Sequence, residues 1–148
     1  MGTDVPYFLR LNEVKREEFR EVLKRISATG MHVCPTLIVF KHGAHLKEIF
    51  SGSYPMLEYT SSMMKGMWKA LWSKQPVNEI VPNLLSPMKE IVKEMHMSGI
   101  PLMVGTDLLF PGVIPGYSVH EEMALWQEAG IFPAEILRSA TIIPAKFM

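Results

Sequence analysis

Net charge is absent, and cysteine, aspartate and long apolar runs are scarce, in this chain of 148 residues. Its 15 lysines and arginines balance 15 aspartates and glutamates, for zero formal net charge and a pI near 7.0. Nucleic acid and anionic membrane surfaces select basic faces, so the balance argues against both partners. The single cysteine, Cys34, excludes an intramolecular disulfide and a CxxC metal knuckle, which fits a reducing compartment. Flanked by apolar residues with no local histidine or lysine, it reads as a core thiol. The longest candidate apolar runs, Leu37 to Phe40 and Ile100 to Val104, fall far below the ~18 residues a spanning helix needs. No leader with a basic start and an apolar stretch opens the chain, and Pro6 breaks the myristoylation pattern. These absences give the expectation of a cytoplasmic chain that uses no membrane. Aspartate occurs twice, as Asp4 and Asp107, which makes each one worth following.

What is present is a core. Hydrophobic residues make up 48% of the chain, the mean hydropathy is +0.13, and methionine occurs 12 times. A chain of about 150 residues removes roughly 68–70% of its unfolded surface from water, enough for one domain.

The hydrophobic spacing predicts two helix-glycine-strand units. Residues 12–29 have Asn12 as a cap, glutamates early, Lys24 and Arg25 late, and Phe19, Val22, Leu23 and Ile26 on one stripe before Gly30. Residues 31–40 follow as a strand, weakened by Pro35, which has no N–H for a ladder. Residues 83–98 repeat the pattern with Leu84, Leu85, Met88, Ile91, Val92 and Met95, and Gly99 leads into the short run ending Gly105-Thr106-Asp107. Two such units imply parallel strands joined by a right-handed crossover. Between them, Met56 to Trp72 forms a helical insertion with a Met/Trp face, read as core, and Pro76 ends it. A capping box Ser118-x-x-Glu121 opens a further helix to Gly130, and a last one starts at Pro133 and stops before Pro144.

Asp107 is the sharpest candidate for chemistry. It sits at the carboxyl end of an apolar run and faces a loop with Pro111-Gly112 and Pro115-Gly116. In parallel α/β folds ligands bind at that end, where a carboxylate can ligate a metal and take the proton of a metal-bound water. A turn-capping aspartate explains the same position equally well. His120, in the first turn of a helix, is biased toward its neutral form and suits hydrogen bonding or ligation; an exposed first-turn histidine is the plainer reading. His42 and His45 have i, i+3 spacing but no accompanying metal motif, and read as structural or exposed. His32 and His96 read as surface residues.

The order of motifs carries more than any one of them. GMHVCPTL from Gly30, a helical insertion with tryptophans, SGIPLMVGTD ending at Asp107, then S-x-H-x-E and E-A-G-x-x-P-x-E-x-L-x-x-A-T-x-x-P-A resemble the C-terminal part of the amidohydrolase superfamily, over about residues 12–148. The likeness is greatest to its imidazolonepropionase-like and prolidase-like branch. It implies an α/β fold, the C-terminal segment of a (β/α)8 TIM-type barrel, with Gly30–Phe40 as seventh strand and Ile100–Asp107 as eighth. Residues 1–148 would then be a single partial domain without the flanking β-sandwich. The implied activity is metal-dependent hydrolysis of amide or other non-peptide or dipeptide C–N bonds in a small molecule, with zinc or another divalent metal. By the same resemblance Asp107 is the catalytic metal ligand and proton shuttle, and His120 contacts substrate.

The family's first-strand H-x-H pair, its fourth-strand lysine or equivalent and its fifth- and sixth-strand histidines have no counterpart in these 148 residues. A zinc site takes three protein ligands. The isolated chain is therefore expected to be inactive, not to hold the metal tightly, and to need a complementing chain or a second copy. The alternative from a different class is a non-catalytic remnant or interaction module that associates through exposed strand edges and the Met/Trp face.

Overall fold

The computed structural model describes residues 16–72 and 83–148. Among them the elements are helical: α1 (Arg16–Ala28), α2 (Ile38–Gly43), α3 (Leu46–Ser51), a 3-10 turn (Leu57–Tyr59), α4 (Ser62–Trp72), α5 (Leu85–Met97), α6 (Ser118–Glu128), α7 (Pro133–Ala140) and α8 (Ile142–Phe147). The cap at Asn12 and the stop at Pro76 lie outside the described residues.

The helices follow from their apolar stripes. Leu23 of α1, Val92 of α5, Leu125 and Trp126 of α6 and Ile136 of α7 meet in the main core, joined by Leu37, Ile38, Ile100, Leu102 and Val113. Burying each such side chain contributes roughly 1.5–3 kcal/mol, which is what holds these short helices together. A second cluster gathers Ile49, Leu57 and Trp68 with Met64 and Met67. The Met/Trp face is thus mainly core, with Met63 and Leu71 left on the surface.

The barrel segment with parallel strands is overturned. Among the described residues no strand forms, and the two segments read as seventh and eighth strands meet in one isolated parallel bridge, Val33 with Leu102. Val33 N–H donates to the Pro101 carbonyl at 3.0 Å and Met103 N–H to the Val33 carbonyl at 2.9 Å, and the ladder stops there. Its brevity has local causes. Pro35 and Pro101 lack the N–H a ladder uses. Thr36 then turns into the left-handed region, with φ 45°, and the chain enters α2 where extended pairing was expected. On the other side Val104 N–H is taken by the Ser139 carbonyl at 3.0 Å. Without strands, the expected exposed strand edges have no basis in the described residues.

Smaller expectations also change. Ser118 is the first residue inside α6, with Tyr117 at the cap position, so no capping box forms. Its hydroxyl instead accepts from Ile114 N–H at 2.9 Å and donates to Glu121 Oε2 at 3.1 Å. The terminal helix does not stop before Pro144: it breaks at Thr141, and α8 carries Pro144 within its first turn. Cys34 is exposed, not a core thiol.

Candidate functional site

The loop after the bridge carries Asp107, and its backbone is shaped by crowding. Gly105 passes so close to Cys34 Sγ that a side-chain carbon at 105 would collide with it, and Thr36 Cγ2 lies 4.0 Å from the same point. Only glycine allows that approach. Two residues further on, Asp107 adopts φ 52°, a left-handed conformation that aspartate tolerates better than most non-glycine residues. Its carbonyl accepts the Phe110 N–H at 2.9 Å, closing the turn. Asp107, Leu108 and Leu109 are exposed, whereas Pro111 to Ile114 are buried. Thr36 and Asp107, two of the three non-glycine residues with positive φ among the described residues, each follow one arm of the bridge. The Trp72 ring at the end of α4 stands edge-on to Phe110, with ring centres 5.0 Å apart.

His120 is exposed in the first turn of α6, where its N–H donates to the Tyr117 carbonyl at 3.0 Å. No hydrogen bond or ion pair among the described residues joins it to Asp107. No group of three or more histidine, cysteine, aspartate or glutamate side chains among the described residues is placed to hold a metal ion. Asp107 supplies one carboxylate, where a zinc site takes three protein ligands.

Beneath the loop lies a polar cluster that the sequence reading passed over. Adjacent glutamates of α6 grip the start of α2 in two ways. Glu122, fully buried, accepts from Leu37 N–H at 2.9 Å, Ile38 N–H at 2.6 Å and Trp126 Nε1–H at 2.7 Å. Burial pushes its carboxyl above the usual range, opposed by those three donors. Glu121 accepts from Lys41 Nζ at 2.7 Å and from Ser118. His42 is fully buried with Nε2 3.5 Å from Glu121 Oε2, and neither ring nitrogen has a hydrogen-bond partner among the described residues. Burial lowers His42 to about 4, against an upward pull from Glu121. The Tyr54 ring meets His42 edge-on, and burial followed by the charge of Glu121 pushes the Tyr54 hydroxyl up to about 12.

α2 ends between His42 and His45, leaving His45 at the cap of α3 with Nδ1 3.9 Å from Glu48 Oε2, yet both rings pack on Tyr54, with centres 5.4 and 5.5 Å from its own. His32 packs against Phe147 with ring centres 5.0 Å apart and, like His96, is half-buried. Although Cys34 is exposed as a residue, its sulfur lies against Gly105, and this partial desolvation followed by the Glu122 charge pushes the thiol up, which disfavours a reactive thiolate. Nothing local marks Glu122 as the buried one of the pair, since the adjacent Glu17 and Glu18 of α1 are both exposed. Compared with protein-family models, with curated proteins and with solved structures, the chain finds no match.

Proposed function

We propose that this chain contributes Asp107 to a hydrolase acting on amide or related C–N bonds, and that it is inactive until a second polypeptide or copy supplies the remaining groups. The observation that carries this reading is the posture of Asp107. An exposed carboxylate sits on a left-handed backbone, held from below by a buried segment and flanked by the close approach of Gly105 to Cys34. Backbone in sparsely populated regions costs of order 1–3 kcal/mol and concentrates at functional sites. The ordered pattern from Gly105-Thr106-Asp107 through Ala145 supports the choice of reaction class, as a resemblance. For His120 the support is its exposure on the helix that follows the loop.

The non-catalytic alternative has lost its strand edges and keeps only Met63 and Leu71 of the Met/Trp face at the surface. It is the weaker reading.

The test is co-expression with the polypeptide encoded immediately upstream, assayed with zinc on N-acyl amino acids and dipeptides. Turnover is expected, and Asp107→Asn should abolish it while leaving thermal unfolding in place. Full turnover by Asp107→Asn, or stoichiometric zinc with turnover in the 148-residue chain alone, overturns the proposal.

A further inference from the structure

The Asp107 loop rests on a histidine. At its buried root, Gly112 has φ 87°, and a side-chain carbon there would fall 2.7 Å from His42 Nδ1 and 2.7 Å from Ile49 Cδ1. The glycine backbone is therefore seated directly on the imidazole and on α3. Around the ring stand Lys41 from its own helix, His45 from the following turn, Glu121 from α6 and the edge of Tyr54. Ile49 and Gly112 are the walls that do not titrate.

We propose that His42 is a pH-operated latch: the neutral ring seats Gly112 and holds down the loop that carries Asp107, and protonation unseats it. An imidazolium has two N–H donors to satisfy. Here Nδ1 faces no acceptor, and Nε2 has only Glu121 Oε2 at 3.5 Å, already engaged by Ser118 while Oε1 holds Lys41. A buried charge without full pairing costs far more than a buried neutral ring. The cheaper outcome is for α2 to swing its histidine toward water, which removes the seat beneath Gly112. As regulation of Asp107 the latch rests on the function proposed above; as a movement of the loop it is measurable without any activity.

Three loop amides report on the seat: Phe110 N–H bonds to the Asp107 carbonyl at 2.9 Å, Val113 N–H to the Phe110 carbonyl at 3.1 Å, and Ile114 N–H to Ser118 Oγ at 2.9 Å. Hydrogen exchange by NMR on the full chain, corrected for intrinsic rates, is compared at pH 7 and pH 5. With the ring near 4 when seated and 6.5 when released, protection of these amides should fall roughly twentyfold. The Ile131 amide, bonded to the Trp126 carbonyl at the C-terminal end of α6, should not follow. His42→Leu and His42→Gln, which cannot titrate, should abolish the pH dependence, and the His42 ring resonances of the native chain should move together with the loop amides. Equal loss of protection in either variant overturns the latch. So does unchanged or increased protection in the native chain, the signature of an imidazolium that pairs with Glu121 and stays.

Discussion

The carboxylate of Glu122 and the backbone of Ile38 meet at 2.6 Å, in the interior, across 84 positions of sequence. With the Leu37 N–H at 2.9 Å, this makes Glu122 a cap supplied to α2 from another helix, in place of the local serine, threonine or aspartate that helix starts ordinarily use. The residue at the cap position, Leu37, has no side chain able to serve.

Removing that carboxylate should be costly. Glu122→Ala strands three buried donors, on Leu37, Ile38 and Trp126. Each unsatisfied donor costs about 1–3 kcal/mol, so a loss of at least about 3 kcal/mol is expected in urea unfolding. Glu122→Gln keeps one oxygen and should lose less. A loss below about 1 kcal/mol for Glu122→Ala would show that water replaces the side chain.

Stability should fall in mild acid, through His42. Its folded value, about 4, lies below the 6.5 of an unperturbed histidine, so the unfolded chain takes up the proton first. That contribution is whole above pH 6.5 and is lost as pH falls toward 4, by about 3 kcal/mol at one pH unit per 1.36 kcal/mol. Glu122 acts in the opposite sense: its value is raised, so its buried charge is relieved as pH falls through it. The measurable consequence is a slope in urea midpoint between pH 6.5 and 4 that flattens in His42→Leu. A slope unaltered by that substitution would assign the acid sensitivity elsewhere.

Gly105 and Cys34 should be energetically coupled. A side-chain carbon at 105 collides with Cys34 Sγ, so Gly105→Ala is expected to destabilise by about 1–3 kcal/mol in the native background. Placed on Cys34→Ala, the same substitution should cost less, because the obstructing sulfur is gone. The double-mutant cycle reads the difference, and residues in contact couple by about 0.5–3 kcal/mol. A coupling near zero would mean that the loop backbone gives way instead of the thiol.

How much of this was visible in the sequence depends on distance along the chain. Phe19, Val22, Leu23 and Ile26, and again Leu85, Met88, Val92 and Met95, announced α1 and α5, because helical periodicity is local and repeated over several turns. The strands failed for a non-local reason. The run Leu37 to Phe40 is apolar and β-branched enough for a strand, yet Glu122 satisfies its first two amides and makes it a helix. Asp107 was legible as an exposed turn residue, but the close approach of Cys34 and Thr36 to Gly105 two residues before it was not, because those neighbours come from a distant part of the chain. The buried setting of His42 was invisible for the same reason: its neighbours arrive from α3, α6 and the loop at 112.

The bond from Leu37 to Glu122 encloses a span of 85 positions. Closing so large a loop carries an entropy cost that grows with the logarithm of its length, and it must be met before the bond returns anything. The grip on α2 is therefore a long-range contact, whereas α5 and α6 pack as neighbours along the chain. Synthesis imposes an order too: α1, α2 and α4 are made before the glutamate that caps the start of α2, so that helix lacks its cap until residue 122 has been added.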